Sequence, residues 1–434
     1  MVEEKNISES SISTEKKKGK KAIRAFAFVF VVLFTVALLI TSINIWCVND
    51  IVSKAKSYGK VQIENQLVPQ KDENGYWYFT TDEEFKVLHL TDVHLGGGFM
   101  SNDKDNKALN AVAAMVTREK PDLVIITGDI AFPVPVKAGT FNNKSAIKAI
   151  GNLMESLGVY WTVTFGNHDS ESYSIYSREE VAEFYSSNEW EHCLFSPGPK
   201  DIYGECNHVI EVKNTDGIIT QAFVMIDSNA YTSTSVLASL VWQYDNIHED
   251  QIEWYRSEIE RMNKENAEIA SDLEYQPVKS LAFFHIPLME MRNAWTELQE
   301  NNFADTENTK YQSGIIGEVG KRVYSADNED NMFEAMLELG STKGMFFGHD
   351  HYNNATLSYK DIVFSYGYSI DYLAYSGIKN EGSQRGCTLI TVKPDTTFEI
   401  EKFNYYSDRY DLESFTREDV TMQFDGVEYE VAEE

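Results

Sequence analysis

Five short stretches of this 434-residue chain place metal-ligand side chains just where an apolar run stops. Asp92 and His94 follow Phe85–Leu90. Asp129 follows Leu123–Thr127, with Gly128 between. Asn167, His168 and Asp169 follow Val159–Thr164 and Gly166. His285 ends the run from Ser280, and His349 and His351 follow Gly344–Phe347 and Gly348. Carboxylate, amide and imidazole donors make a mixed oxygen and nitrogen set, which suits Fe, Mn or Zn rather than Ca. Asp92 and His94 are two residues apart, as are His349 and His351. In extended backbone, positions i and i+2 point the same way. Each pair can therefore approach one ion together or divide between two adjacent ions. A carboxylate can bridge two cations where an imidazole cannot, and Asp129 stands alone, as a bridge would. Glycine before the ligands lets the chain turn sharply and lets backbone come close to an ion.

Something must bring these five stretches together. The apolar runs alternate with segments of helical periodicity. Lys107–Glu119 reads as a helix that Pro121 ends, and Ser145–Leu157 as one capped by Gly158. The resulting β-α-β-α-β opening predicts an α/β fold whose sheet holds parallel strands with helices on its face. Further strands are expected at Asn207–Val212, Ala222–Asp227, Ser280–His285 and Gly344–Phe347, with a long charged helix over Glu249–Ile269 and another at Asn331–Leu339. Short strands then follow, near Ala355–Ser358, Ile362–Ser365, Cys387–Val392 and Thr397–Phe403. Ligands of α/β sheets gather at the carboxyl ends of strands, so five polar clusters at one sheet edge would make one site. The expected organisation is a linker and first strand over 48–84, the main domain over 85–403 and an acidic tail over 404–434.

Taken in order, DxH, GD, GNHD, a lone His and GHDH resemble the calcineurin-like metallophosphoesterase superfamily over roughly residues 85–395. The segments Phe165–Glu171, Leu281–Leu288 and Phe347–His351 look closest to the branch related to purple acid phosphatases. The resemblance implies two facing mixed sheets flanked by helices, with two transition-metal ions at one end. It also implies roles by position. Asp92, His94 and His351 would hold the first metal, and Asn167, His285 and His349 the second, with Asp129 bridging. His168 would be the general acid, oriented by Asp169, while hydroxide generated at the metals attacks phosphorus in line. One departure stands out. Purple acid phosphatases carry a metal-binding Tyr three residues after the bridging Asp, and this chain has Phe132 there. Iron-tyrosinate chemistry is therefore not expected, and the metals stay open among Fe, Mn and Zn.

Composition narrows the partners. A formal charge of −30 repels nucleic acid. Four cysteines are too few for a disulfide scaffold, and none are spaced as in a structural zinc site. Positive charge gathers at the start, in Lys16, Lys17, Lys18, Lys20, Lys21 and Arg24. An apolar run from Ala25 continues to Trp46 and Cys47, about the 20 residues a bilayer span takes. The expectation is a basic disordered tail over 1–24 and a single-pass signal-anchor over 25–47. Under the positive-inside rule the tail is cytoplasmic and the domain extracytoplasmic. Cleavage as a signal peptide and secretion is the alternative.

Other polar residues receive plainer readings. His89 is expected to be a core residue, and His192, His208 and His248 are given no role. Asp227 is either a partner behind a ligand or a turn starter. Tyr366, Tyr368 and Arg385 read as sheet packing and a surface cation, with cleft lining as the alternative. Cys193 and Cys206 could pair, and Cys47 is expected free. The function expected is a membrane-anchored two-metal phosphoesterase acting on a phosphoester substrate. A phosphodiesterase or nucleotidase is the runner-up, and a surface-binding protein on a dead phosphoesterase fold is the reading from another class.

Overall fold

Buried β-branched runs alternating with amphipathic helices give two sheets in the computed structural model, which describes residues 2–233, 241, 243–270, 277–318, 320–326, 328–375, 378, 385–413 and 415. The chain opens on α1 (Val2–Ala55), followed by β1 (Gln70–Lys71) and β2 (Trp77–Thr80). The β-α-β-α-β unit is β3 (Phe85–Leu90), α2 (Asn102–Glu119), β4 (Leu123–Thr127), the short α3 (Pro135–Ala138), α4 (Asn143–Leu157) and β5 (Trp161–Thr164). Next come α5 (Arg178–Tyr185), β6 (His208–Lys213), β7 (Ile219–Met225), α6 (Glu249–Ile269), β8 (Lys279–Phe283), α7 (Met289–Glu300), β9 (Thr309–Ser313), α8 (Met332–Leu339) and β10 (Thr342–Phe347). The last strands are β11 (Thr356–Tyr359), β12 (Ile362–Tyr366), β13 (Gly386–Val392) and β14 (Phe398–Asn404).

Both sheets are mixed. One has five strands in the order β14-β13-β3-β4-β5, the other nine in the order β1-β2-β6-β7-β8-β10-β12-β11-β9. Strands β3, β4 and β5 run parallel, as do β7, β8, β10 and β12. The sheets face each other across one apolar layer that includes Phe85, Val87, Leu123 and Ile125 from the smaller sheet and Phe223, Phe283 and Phe346 from the larger. Their outer faces are covered by α2 and α4 on one side and by α6, α7 and α8 on the other. All of β4 is buried, which is why it reads as an unbroken apolar run rather than an alternating one. At the sheet edge, β14 alternates instead, with Glu399 and Glu401 turned to water; charge there discourages pairing with another chain.

The structure redraws both ends. Residues 2–24, expected as a disordered tail, continue the helix of the apolar run. That helix does not stop at 47 but runs to Ala55. Over Ile23–Ala55 it is long and apolar enough to cross a membrane. Its last turns are different. Ile51 and Ala55 are buried in the core that α2 and α4 build, and Cys47, four residues before Ile51, is buried as well. An i, i+4 stripe of this kind faces one neighbour, so 48–55 is a docked helix end rather than a linker. At the other end, Tyr405, Tyr406 and Tyr410 are buried. Arg409 Nε lies 2.7 Å from Glu119 Oε1 of α2, and Tyr410 Oη donates to the same oxygen at 2.7 Å. Residues 404–412, expected to belong to the tail, are thus part of the domain, whereas 416–434 lie outside the described residues. No disulfide joins Cys193 and Cys206. Both are free, and Cys206 Sγ accepts from the Phe165 amide at 3.3 Å.

Candidate metal centre

Every singled-out ligand position lies just past a strand end: Asp92 and His94 after β3, Asp129 after β4, Asn167 after β5, His285 after β8, His349 and His351 after β10. The reason they converge differs from simple alternation. Asp92, His94, Asp129 and His349 all sit at positive φ, at 51°, 49°, 50° and 76°. Non-glycine residues are uncommon there, and strain of this kind collects at functional sites. Two glycines make the crowding feasible. A Cβ on Gly166 would overlap Asp129 Oδ1, and one on Gly348 would overlap Thr91 Oγ1 and Asp92 Oδ2.

Each carboxylate is divided between a structural and a free oxygen. Asp92 Oδ2 accepts from Thr91 Oγ1 at 2.8 Å and from the His349 amide at 3.1 Å. Its Oδ1 takes no hydrogen bond and faces His351 Nε2 at 3.2 Å. Asp129 Oδ1 accepts from the His168 amide at 2.8 Å. Its Oδ2 lies 3.2 Å from His94 Nε2 and 3.1 Å from His285 Nε2. The imidazoles fall into two pairs around it. His94 and His351 have ring centroids 4.6 Å apart, and His285 and His349 5.2 Å apart. Donor atoms of Asp92, His94, Asp129 and His351 all come within 4.8 Å of one another. His285 Nδ1 is spent on the Thr127 carbonyl at 2.8 Å, which leaves Nε2 inward. Asn167 gives Nδ2 to Tyr231 Oη at 3.0 Å and keeps a buried, unpartnered Oδ1.

These groups fit metal ions. Buried polar atoms without partners are costly, and among the described residues five of them (Asp92 Oδ1, His94 Nδ1, Asn167 Oδ1, His285 Nε2 and His351 Nδ1) belong to the expected ligand set. The electrostatics agree. Burial opposes charge on Asp92, but His351 and His285 outweigh it and bring its pKa down to about 2. Asp129 is likewise held well below the carboxylate range, against burial, by His285 and His168. Burial tends to lower the pKa of His285, yet Asp129 and Asp92 raise it to about 9. Two buried anions that draw protons onto imidazole are the electrostatics of a site built for cations.

The acid differs from expectation. Asp169 does not orient His168. Its carboxylate accepts three backbone amides, from Asp129 at 2.9 Å, Ala131 at 2.8 Å and Gly166 at 2.8 Å. The partner of the imidazole is Glu171, whose Oε1 lies 2.8 Å from His168 Nδ1 and accepts from Tyr231 Oη at 3.0 Å. Burial works against a charged His168, but Asp129 and Glu171 prevail, and its pKa is raised. Phe132 packs edge-on against His94 and His168, with centroids 5.1 and 4.9 Å away.

Two more strand ends contribute groups whose roles the sequence left open or passed over. Past β12, Asp371 stands behind both first-group imidazoles, 3.8 Å from His94 Nδ1 and 3.7 Å from His351 Nδ1. Arg385, read as a surface cation, is buried and donates to the Asp371 carbonyl at 2.9 Å. Past β7, Asp227 holds Arg178 through two bonds of 2.9 and 2.5 Å, and Arg178 donates to the Gly166 carbonyl at 3.0 Å. Asp227 thus steadies the loop carrying Asn167 and His168. Tyr366 is buried and donates to Asp350 at 2.5 Å rather than lining a cleft. His89 bonds Thr127 Oγ1 inside the core, and burial pushes its pKa down to about 3. His208 bonds Thr162, His192 bonds Glu155 and His248 bonds Asp245. A cleft of about 890 Å3 opens beside the acid, lined among others by Ser170, Glu171, Ile175, Arg178 and Tyr231.

The profile of the calcineurin-like phosphoesterase family matches residues 85–353. The chain is 26% identical over 318 residues to probable inactive purple acid phosphatase 28 of Arabidopsis thaliana, covering 68% of this chain and 73% of that one. To probable inactive purple acid phosphatase 29 of the same plant it is 25% identical over 338 residues, covering 72% and 78%. It is also 25% identical over 292 residues to phosphatase DCR2 of Saccharomyces cerevisiae, covering 64% of this chain and 46% of that one. Among solved structures, a dimetal phosphatase from Danio rerio aligns with a TM-score of 0.43 and 13% identity, over 74% of this chain and 99% of that chain.

Proposed function

Because the chain belongs to the calcineurin-like phosphoesterase family, we propose that it is a working two-metal phosphoesterase, anchored in a membrane by α1 with its catalytic domain outside the cytoplasm. The observation that carries the reading is Asp129 Oδ2, one carboxylate oxygen facing His94 on one side and His285 on the other. Asp92, His94 and His351 would hold one cation and Asn167, His285 and His349 the other, with Asp129 shared. Such a pair supplies Lewis-acid stabilisation of phosphoryl charge and a water of lowered pKa.

The remaining work falls to the chain's own groups. His168 gives a proton to the departing ester oxygen. Glu171 binds Nδ1, so Nε2 is the nitrogen that delivers it, and Asp129 and Glu171 favour the protonated ring. Tyr231, bonded to Asn167 and Glu171, ties the second ligand group to the acid. Asp169 holds the amides of Asp129, Ala131 and Gly166 in place. The names of the two plant relatives carry the word inactive, which favours a second reading, a binding protein on a dead phosphoesterase fold. All seven ligand positions here hold side chains able to ligate, and this supports turnover instead.

The test uses full-length protein in detergent, loaded with Zn, Mn or Fe. The expected result is close to two metal ions per chain and hydrolysis of p-nitrophenyl phosphate or its bis-ester. Full binding of two metals with no turnover of either ester would leave the binding-protein reading. For the anchor, carbonate-washed membranes should retain the chain, since salt and alkali release electrostatic attachment but not a spanning helix.

A further inference from the structure

We infer that the catalytic edge of the domain faces the bilayer and that the substrate is a phosphoester carried by a membrane-embedded amphiphile. This rests on the two-metal, anchored reading above and adds a direction and a substrate class to it.

The direction follows from how α1 is docked. Asn44 stands near the end of the apolar run, 20 residues after Arg24, which at 1.5 Å per residue is about 30 Å, one hydrocarbon thickness. Its side chain bonds the Phe99 amide and the Gly139 carbonyl, both at 3.0 Å. Further along, Ser156 Oγ at the far end of α4 donates to the carbonyls of Lys56 and Tyr58. So α1, from 44 to 55, runs the same way as α4, from its start at Asn143 to its end at Leu157. Helix α4 leaves the carboxyl end of β4, where Asp129 sits, and returns to the opposite edge before β5. The membrane-exit end of α1 therefore lies at the metal-bearing edge, and the rest of the domain extends away from the bilayer.

That edge carries an unusual surface. Phe99, Met100, Val136, Phe141 and Ile175 are all exposed there, Val136 at 79%. The Ile175 amide donates to the Phe141 carbonyl at 3.0 Å, which joins the two loops. Phe99 and Gly139 are fixed to Asn44, so these loops stand level with the end of the apolar helix. The patch is continuous with the membrane-spanning surface, and a bilayer interface is the occupant that continuity selects. Residues 132–148 also carry Lys137, Lys144 and Lys148 and no acid, in a chain of net charge −30. Cations there suit phosphate-bearing headgroups. The site is close. His94 is five residues from Phe99, a reach of at most about 18 Å. The 890 Å3 cleft is lined by Glu171, the partner of the acid, and by Ile175 of the patch. A phosphate seated at the metals would have its apolar remainder led toward the lipid.

The orientation is tested by fluorescence, which does not require activity. Full-length protein with Cys193→Ser and either Val136→Cys or Ile269→Cys is labelled with an environment-sensitive dye. It is then reconstituted in phosphatidylcholine vesicles that carry a headgroup-level nitroxide. Ile269 lies beside Gly217 in the β6–β7 turn, at the opposite edge from the metals. Quenching at 136 and none at 269 is expected; equal quenching at both, or none at 136, overturns the orientation. The substrate class is tested with the Met100→Glu/Val136→Glu variant, which alters no ligand. Turnover of dioleoyl phosphatidate in vesicles should fall by about tenfold, the order expected for withdrawing one or two apolar side chains from an interface. Turnover of p-nitrophenyl phosphate should stay unchanged. Equal effects on both esters, or no hydrolysis of phosphatidate by a wild-type protein that turns over the soluble ester, overturn the substrate class. If wild type hydrolyses neither ester while the quenching pattern holds, the phosphoesterase reading fails and takes the substrate with it, but the orientation stands. Release by carbonate overturns the anchor and the orientation together.

Discussion

Exchanging Asp169 and Glu171 in turn separates scaffold from chemistry. Asp169 is buried and accepts three main-chain amides, two on Oδ2 and one on Oδ1. Asp169→Asn keeps the shape but leaves one acceptor oxygen. If that oxygen keeps the Asp129 and Gly166 amides, the Ala131 amide meets an NH2 group. A stranded buried donor costs about 1–3 kcal/mol. The two surviving bonds lose their charge assistance, roughly half their strength. Together these put the destabilisation at about 2–5 kcal/mol. Since one affected amide belongs to Asp129, metal affinity should fall too. Glu171→Gln should behave in the opposite way. The amide oxygen can still accept from His168 Nδ1, so stability and metal content should stay near wild type. What is lost is the negative charge supporting the protonated imidazole, and the rate should fall most for alkyl phosphates, whose leaving groups need a proton. Urea unfolding, elemental analysis and a leaving-group series measure the three quantities. If Asp169→Asn keeps full stability and both metals yet shows the leaving-group defect, while Glu171→Gln shows none, the assignment of the two residues is wrong.

Other expectations follow from the same contacts. His168→Ala should retain both metals and lose about 10²–10⁴-fold in rate, with nitrophenyl esters partly spared; loss of metal in that variant would make it a ligand. Arg178→Met should cost about 3–5 kcal/mol at pH 7, because it leaves Asp227 charged and buried. Burial opposes that charge, but Arg178 lowers the pKa of Asp227 in the folded chain. The pair's stabilisation is therefore present above the unfolded carboxyl value of about 3.9 and lost as pH falls through the folded value. The gap between variant and wild type in urea should accordingly close at acid pH. Chelation should lower the melting temperature, with recovery on adding Zn or Mn but not Ca; a bound ligand at 100 times its Kd is worth about 2.7 kcal/mol. The loaded protein should be colourless, since Phe132 offers no phenolate, and a visible band lost on reduction would contradict this. Gly348→Ala should abolish metal binding through overlap with Thr91 and Asp92. Gly340→Ala, which meets nothing within 4 Å, should cost only a backbone penalty of about 1–2 kcal/mol at its positive φ.

The strands that position the site were legible because each is buried on both faces and so reads as a continuous apolar run with a polar break. Strands β3 and β4 begin and end where the pattern does. Less legible were α5, α7 and β9: α5 and β9 are short, and the apolar stripe of α7 (Met291, Ala294, Trp295 and Leu298) is set among charged and polar residues. The ligands could be singled out because His, Asp and Asn beside glycine stand out against apolar runs. Glu171 and Asp371 could not, and Arg385 was read only as a surface cation, since a Glu after a Ser or an Arg in a loop has no local signal of its partner. Their roles depend on which strand ends become neighbours. Asp371 reaches His94 only because β12 lies next to β10 in one sheet while β3 sits in the other.

The reason given for ligand convergence also changes with the structure. Spacing of two suggested extended backbone, yet Asp92, His94 and His349 turn into the left-handed region, at about 1–3 kcal/mol each. Such strain persists only where neighbouring contacts fix it. Here the Asp92 and His94 amides are held by the carbonyls of Gly128 and Asp129, and the His349 amide by Asp92 itself. One ligand loop is thus the template for the next. Asp92 Oδ2 and Asp129 Oδ1 are spent on backbone amides, leaving Asp92 Oδ1 and Asp129 Oδ2 inward. This division makes the site rigid before any ion arrives. It also makes Asp169, whose carboxylate touches amides only, a position where substitution should be costly. A mutation there displaces ligands without removing one, so metal content rather than the pH profile is the readout that should respond first.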